Sequence, residues 1–223
     1  MNAQDIVAIV LAAGEARRYG APKQTLAIEG VPMVRRAALA ARGAGMRVIV
    51  VTGAHRAEVE ACLQGIDVAC CFNASWRKGM GGSIAHGIGA VLGTMPEATA
   101  ACIVMLADQP GVTAADLGCF AAAARAAPRR IIAARYSGII GAPCLFPRPC
   151  FAELAALSGD RGARAVICRH PESVDALTLP GAALDIDTIE DYTRCIRMKP
   201  RTPGENTTGW PVPSAIQVLE RLR

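Results

Sequence analysis

The sequence predicts an α/β protein, a three-layer α/β/α sandwich in which helices cover both faces of a mostly parallel sheet. The first reason is a series of short, unbroken runs of β-branched and aliphatic residues, beginning with residues 6–11. Such runs are typical of strands that are buried on both faces. The second reason is that segments with helical periodicity separate these runs, so that strand and helix alternate. A chain of 223 residues is also long enough for one large domain with its own core.

Each predicted element rests on a local pattern. Strands are predicted where β-branched and aliphatic residues cluster, and helices where apolar residues recur every three or four positions. Thr113 and Asp116 form a Ser/Thr-x-x-Asp/Glu pattern, which predicts the start of a helix. Residues 1–198 are expected to form one domain, and residues 199–223 a flexible linker with a short tail. The predicted strands are residues 6–11, 47–52, 68–72, 100–106, 131–135 and 174–179; the predicted helices are residues 31–44, 55–63, 83–92 and 151–157, one opening at Thr113, one ending near His170 and one after Asp187.

Composition argues against several classes of protein. The formal net charge is +5, and the basic residues are not interleaved with aromatic ones, so nucleic-acid binding is not expected. No apolar run is long enough to span a bilayer, and no basic-then-apolar leader opens the chain, so a cytoplasmic protein without a membrane contact is expected. The 9 cysteines are scattered and form no Cys-x-x-Cys pair, which favours reduced residues without a metal.

The loop after the first predicted strand has the composition of a phosphate-binding loop. Small residues follow Leu11, at Ala12, Ala13 and Gly14, and three cations come next, at Arg17, Arg18 and Lys23. A backbone with free N–H groups and nearby cations suits a phosphate. The spacing matches neither a Walker A loop nor a dinucleotide-binding fingerprint. The alternative interpretation is an ordinary basic surface turn.

Carboxylates close two other segments of the predicted sheet. Asp108 follows the buried run of residues 100–106, where an acidic side chain is costly unless a cation meets it. Mg²⁺ is the natural partner beside phosphates, although Asp108 also fits as the cap of a turn. Asp185 and Asp187 alternate along an extended segment, so their side chains share a face, and the pair favours a cation between them. The alternative is that Asp187 caps the last helix.

These motifs resemble a known family. Leu11-Ala-Ala-Gly14 followed by Arg17-Arg18 and by Pro22-Lys23-Gln24 is similar to the signature loop of the MobA-like nucleotidyltransferases, which transfer nucleotides to the molybdenum cofactor. The Ala-Ala-Gly form and the Pro-Lys-Gln ending resemble the cytidylyltransferase branch. The resemblance extends over residues 5–196 and implies the Rossmann-like nucleotidyltransferase fold. Residues 73–83 are similar to the segment that in this family lies near the base and ribose.

The resemblance implies roles for particular residues. It assigns catalysis to Arg18, Lys23 and Asp108, and Mg²⁺ to Asp108, with Asp187 as a second ligand and Asp185 as a third choice. Binding of the nucleotide is assigned to Leu11, Ala12, Ala13, Gly14, Lys23, Gly79, Met80 and Ser83; binding of the acceptor is assigned to Gly141, Pro143, Arg161 and Arg164.

The activity that the resemblance implies is transfer of CMP from CTP to the phosphate of molybdopterin-bound molybdenum, with release of pyrophosphate. A molybdenum hydroxylase is then an expected partner. Three alternatives remain open at this point: a sugar- or alcohol-phosphate nucleotidyltransferase of the same fold, a nicotinamide-dependent oxidoreductase and a non-enzymatic chaperone for the molybdenum cofactor. Ala142 stands where many members of the family carry a histidine, and this difference bears on the identity of the acceptor.

Overall fold

The computed structural model describes residue 2 and residues 5–15, 22–94 and 99–197. Within these ranges, the strands form a seven-stranded sheet and a separate two-stranded hairpin. The strands are β1 (Ile6–Ala12), β2 (Ala27–Ile28), β3 (Val31–Pro32), β4 (Arg47–Thr52), β5 (Ala69–Phe72), β6 (Ala101–Leu106), β7 (Ile131–Tyr136), β8 (Ile139–Pro147) and β9 (Val174–Thr178). The helices are α1 (Met33–Gly43), α2 (Arg56–Cys62), α3 (Met80–Thr94), α4 (Ala114–Ala126), α5 (Phe151–Ala155), α6 (Arg164–Ile167) and α7 (Ile189–Arg197).

The large sheet has the order β5-β4-β1-β6-β8-β7-β9. All of its neighbouring strands are parallel except the two pairs made by β8, which is antiparallel to β6 and to β7. β8 reverses direction because Ser137 and Gly138 join it to β7 with φ angles of 46° and 77°, the geometry of a tight hairpin turn. The predicted mostly parallel α/β sheet is therefore confirmed.

The core lies on both faces of the sheet, as a three-layer sandwich requires. In β1, Ile6, Ala8 and Val10 belong to one buried cluster, whereas Val7 and Ile9 belong to the cluster on the opposite face. All five are fully buried, which explains why this strand reads as an unbroken apolar run. No helix in the described ranges is long and apolar enough to cross a membrane.

Two helix starts differ from the predictions by two residues or more. The helix expected from residue 31 begins at Met33, because Val31 and Pro32 pair with the preceding strand in the hairpin. The helix expected from Ser83 begins at Met80, so Ser83 lies inside the helix and is not its N-cap. The predicted start at Thr113 is confirmed: its side chain and that of Asp116 form a reciprocal capping box. The expected linker and tail, residues 199–223, lie outside the described residues.

Candidate active site

The parallel strands bring distant residues to one edge of the sheet. β1 and β6 lie side by side and run in the same direction, so the segments after both strands emerge together. Asp108 follows the end of β6 by two residues, and Lys23 opens the short 3₁₀ turn Lys23–Thr25 in the segment after β1. Lys23 Nζ lies 2.7 Å from Asp108 Oδ2 and 2.5 Å from Asp187 Oδ1. One ammonium group thus bridges two carboxylates that are far apart in the sequence.

Three carboxylates form a compact cluster around this ammonium group. One oxygen from each of Asp108, Asp185 and Asp187 lies within 4.8 Å of the other two. The second oxygen of Asp108, Oδ1, is buried and accepts no hydrogen bond from the described residues. A buried carboxylate oxygen without a donor is costly, and hard divalent cations take oxygen ligands of this kind. The residues therefore fit Mg²⁺ or Mn²⁺.

The cluster shifts the pKa values of Asp185 and Lys23. The pKa of the Asp185 carboxyl is raised to about 7, first by loss of hydration and then by the negative charges of Asp108 and Asp187. Burial lowers the pKa of the Lys23 ammonium, but the charges and hydrogen bonds of Asp108 and Asp187 outweigh burial, so its pKa lies above the ordinary value. Lys23 thus stays a cation, and a further cation beside the carboxylates would ionise Asp185.

Lys23 and Gln24 are placed by the short turn that follows Pro22. The Thr25 hydroxyl donates to the Pro22 carbonyl oxygen at 2.8 Å and closes this turn. The buried Gln24 side chain donates from Nε2 to the Gly14 carbonyl oxygen at 2.7 Å. This hydrogen bond joins the turn to the small residues after β1, so that Gly14 and Lys23 are held on the same wall of the site.

A cavity of about 630 Å³ opens over the cluster. It contains the three carboxylates, Lys23 and both glycine-rich segments that the sequence singled out. Ala12 does not line it, because its side chain packs into the core on the other face of the sheet. Arg18 lies outside the described residues. The cavity is lined by Leu11, Ala13, Gly14, Glu15, Lys23, Gln24, Trp76, Arg77, Gly79, Met80, Ser83, Leu106, Asp108, Asp160, Asp185 and Asp187.

The second glycine-rich segment is shaped by a close approach to another loop. Gly79 has a φ of +104°, and a Cβ built on it would lie 2.4 Å from the Gly159 carbonyl oxygen, so no larger residue fits. The Gly81 amide donates to the same carbonyl oxygen at 2.9 Å. Within the segment, Ser83 Oγ accepts from Asn73 Nδ2 at 3.1 Å, which leaves the Ser83 hydroxyl hydrogen free for another acceptor.

The acceptor candidates do not line this cavity, although Arg161 packs against the second glycine-rich segment: a Cβ built on Gly81 would lie 2.6 Å from the Arg161 carbonyl oxygen. Gly141, Pro143, Arg161 and Arg164 are absent from the lining of the described cavity. Gly141 faces the Tyr136 hydroxyl oxygen, which would lie 2.6 Å from a Cβ built on this glycine. The role of these four residues in acceptor binding therefore stays a prediction.

Several lining residues were missed by the sequence analysis. Trp76 and Arg77 lie inside the segment 73–83, and the Arg77 guanidinium stacks over the Trp76 ring at 4.6 Å from its centroid. Their position in that segment could have identified both of them as candidate lining residues. Gln24 was part of the Pro22-Lys23-Gln24 motif but was given no role, whereas Glu15 and Leu106 gave no signal of their own, because only the register and the loop packing bring them to the cavity.

Comparisons with known proteins agree with this geometry. Residues 8–174 match the model of the MobA-like NTP transferase domain. The purine catabolism protein PucB of Bacillus subtilis (strain 168) is 27% identical over 206 residues, which cover 86% of this chain and 96% of PucB. The crystal structure of Rv0371c from Mycobacterium tuberculosis H37Rv is 30% identical, with a TM-score of 0.74 over 88% of this chain and 100% of that chain.

A second crystal structure of the Mycobacterium tuberculosis protein, in complex with manganese, has a TM-score of 0.71 at 28% identity and covers 87% of this chain and 99% of that chain. The fold thus resembles these structures over most of the chain. The family match spans β1 to the start of β9 and includes Lys23 and Asp108. The chain belongs to the family of MobA-like NTP transferases.

Proposed function

We propose that this protein is a molybdenum cofactor cytidylyltransferase, which transfers CMP from CTP to the phosphate of molybdopterin-bound molybdenum and releases pyrophosphate. The observation that carries the proposal is the bridge from Lys23 to Asp108 and Asp187 inside a cavity lined by both glycine-rich segments. A site that binds a triphosphate needs a cationic side chain, metal ligands and a backbone that can approach the phosphates closely, all in one place. Membership of the MobA-like family supports nucleotidyl transfer as the class of reaction.

Catalysis of this reaction depends mainly on alignment of the reacting phosphates and on neutralisation of their negative charge. An oxygen of the acceptor phosphate attacks the α-phosphorus of CTP, and the bond from that phosphorus to the pyrophosphate oxygen breaks. Lys23 would hold the phosphates in line, and its ammonium would stabilise the charge that develops on the leaving pyrophosphate. The ionised acceptor phosphate is itself the nucleophile, so no strong general base is required.

Asp108 and Asp187, with Asp185 beside them, would hold Mg²⁺, which when bound supplies polarisation of the α-phosphate. The fit rests on the orphaned Oδ1 of Asp108 and on the three converging carboxylate oxygens. The manganese complex of the similar mycobacterial protein supports a divalent ion of this kind. Leu11, Ala13 and Gly14 on one wall, with Gly79, Met80 and Ser83 on another, would hold the nucleotide.

The preference for cytidine rests on the Ala-Ala-Gly form of the first loop and on the Pro-Lys-Gln sequence that ends it. A second candidate, a sugar- or alcohol-phosphate nucleotidyltransferase, is favoured by one observation. Ala142 replaces the histidine that many members of the family carry on the acceptor side, so that any hydrogen bond from this position to a pterin is missing. A maturation role beside a molybdenum hydroxylase follows only from the first candidate.

A titration of the four nucleoside triphosphates tests the proposal. Release of pyrophosphate is measured with Mg²⁺, with and without molybdenum cofactor. The proposal predicts release that depends on the cofactor and is fastest with CTP. Release that requires a sugar phosphate in place of the cofactor would select the second candidate. Binding of the cofactor without turnover of any triphosphate would indicate a chaperone and would contradict the proposal.

A further inference from the structure

A buried glutamine joins the two loops that carry the carboxylates. Gln109 follows Asp108 directly, and only 3% of it is exposed. Its Nε2 donates to the Ala182 carbonyl oxygen at 2.9 Å and to the Tyr136 hydroxyl oxygen at 3.3 Å. Ala182 lies three residues before Asp185, so this side chain reaches from the loop of one metal-ligand candidate to the loop of the other two.

Two backbone contacts run beside this hydrogen bond. The Ile186 amide donates to the Asp108 carbonyl oxygen at 3.1 Å. Gly111 and Gly181 pack backbone against backbone: a Cβ built on Gly181 would lie 2.3 Å from the Gly111 carbonyl oxygen. We call these contacts between residues 108–111 and residues 181–186 the carboxylate seam. No described strand pair joins these two segments, so the seam, together with the Lys23 bridge, holds Asp108 at its separation from Asp185 and Asp187.

We propose that Gln109 is a positioning residue, which fixes the spacing of the carboxylates and thereby the affinity for a divalent metal. The inference rests on the proposed function, in which Asp108 and Asp187 hold the ion. A side chain that orients metal ligands without touching the metal typically changes affinity by tenfold to a hundredfold when it is removed. Gln109 is absent from the lining of the described cavity, so its influence passes through the seam.

The orphaned oxygen of Gln109 supports a role in positioning. Gln109 Oε1 is buried and accepts no hydrogen bond from the described residues, which costs free energy. The opposite orientation of the amide would set Oε1 against the carbonyl oxygen of Ala182. The amide therefore leaves one oxygen unsatisfied so that its nitrogen can hold Ala182. An apolar residue of similar length would remove this cost, but it would leave the buried Ala182 carbonyl oxygen without its donor, so we expect a moderate loss of global stability.

The test compares Gln109→Met with the wild type in the full-length chain without nucleotide. Binding of Mn²⁺ is measured by electron paramagnetic resonance of the free ion, and the melting temperature is measured in metal-free buffer. We expect the dissociation constant for Mn²⁺ to rise about tenfold or more, while the melting temperature falls by no more than about 10 °C. Gln64→Met makes the same chemical change at an exposed position outside the seam and should leave both quantities unchanged.

If Gln109→Met fails to fold, Gly181→Ala provides a second way to open the seam. Its matched control is Gly118→Ala in α4, where a new Cβ would meet no atom within 4 Å. Gly181→Ala is expected to weaken Mn²⁺ binding about tenfold, and Gly118→Ala to leave it unchanged. A folded seam variant that binds Mn²⁺ as tightly as the wild type overturns the inference and leaves the proposed function intact. A wild type that binds no Mn²⁺ overturns the metal site of the proposed function, and the inference with it.

Discussion

At the scale of single residues, Lys23 is the side chain on which the site converges. It is 12% exposed and is in contact with Asp108 and Asp187, so its charge is held beside the cluster by two carboxylates. A largely buried lysine would ordinarily be easier to deprotonate, but these partners raise its pKa above the ordinary value. A permanent cation at this point suits a site in which negative charge develops on a leaving pyrophosphate.

Lys23→Met should therefore lower the turnover of triphosphate far more than it lowers stability. The change keeps the apolar stem and removes the charge, so we expect the rate of pyrophosphate release to fall about 100-fold or more. Lys78→Met is the matched control, because Lys78 lies outside the cavity wall and is exposed. Equal rates for the two variants would contradict the role given to Lys23.

The sequence predicted Lys23 as one of three cations in the glycine-containing loop after the first apolar run, and Asp108 as the carboxylate that follows a buried run. It did not predict which neighbours of these residues face the site. Ala12 and Ala13 are adjacent and equally small, yet Ala13 lines the cavity and Ala12 packs into the core, a difference that only the alternation of β1 decides. Arg77 faces the cavity through its stacking on Trp76, which has no counterpart in a linear pattern.

At the scale of elements, the start of α7 is tied to the carboxylate cluster. Thr188, next to Asp187, forms a reciprocal cap with Asp191: the Thr188 hydroxyl donates to the Asp191 carboxylate at 2.7 Å, and the Asp191 amide donates back at 3.1 Å. The Asp187 amide donates to the same carboxylate at 3.4 Å. The first turn of α7 thus fixes the backbone from which the Asp187 side chain projects.

The cap leads to a prediction about how Asp191 contributes to stability as the pH changes. Hydrogen bonds from the Thr188 hydroxyl and amide hold the pKa of Asp191 below its ordinary value. Because this pKa is lower in the folded state than in the unfolded state, ionised Asp191 stabilises the fold above the ordinary pKa, and this contribution is lost as the pH falls through the lowered value. Thr188→Ala should move the pKa of Asp191 up toward its ordinary value, as measured by carbon NMR of its carboxyl group.

Thr193→Ala is the control for this measurement, since the Thr193 hydroxyl donates to the Ile189 carbonyl oxygen in the same helix and does not contact Asp191. An Asp191 pKa that is the same in the Thr188 and Thr193 variants would show that the cap does not set it.

Strands whose own sequence shows that they are buried could be predicted. Elements whose position depends on pairing with other strands could not. β1, β4 and β6 are buried on both faces along most of their length, so their sequences are mainly apolar. β8 was not predicted as a strand, since its direction and its place between β6 and β7 depend on pairing across the sheet. The start of α3 was misplaced by three residues because glycine-rich sequence suggests a loop, whereas Met80 to Ser83 form the first turn of the helix.

At the scale of the molecule, the described site depends on residues from β1 through the start of α7. Lys23, Asp108 and Asp187 come from three widely separated segments, which the parallel sheet brings to one edge. The order of the strands, with β1 beside β6, could not be read from the sequence. The expectation of a phosphate loop next to a carboxylate required only that both follow parallel strands.

The expected domain boundary gives a prediction at this scale. A chain that ends after residue 198 contains all the residues of the cavity and of the carboxylate cluster. We expect this shortened chain to bind Mn²⁺ and to release pyrophosphate at about the rate of the full chain, with a melting temperature within about 4 °C of it. A loss of either activity on removal of residues 199–223 would assign those residues to the catalytic unit.

The most direct test of the account is the release of pyrophosphate from CTP by Asp108→Asn, with Mg²⁺ and molybdenum cofactor. The matched control is Asp67→Asn, because Asp67 is an exposed carboxylate that is paired with Arg42 outside the cavity. Both variants should fold like the wild type, since the change is nearly isosteric. The account predicts that the rate falls at least about 100-fold for Asp108→Asn and is unchanged for Asp67→Asn; full-speed release by a folded Asp108→Asn protein would contradict it.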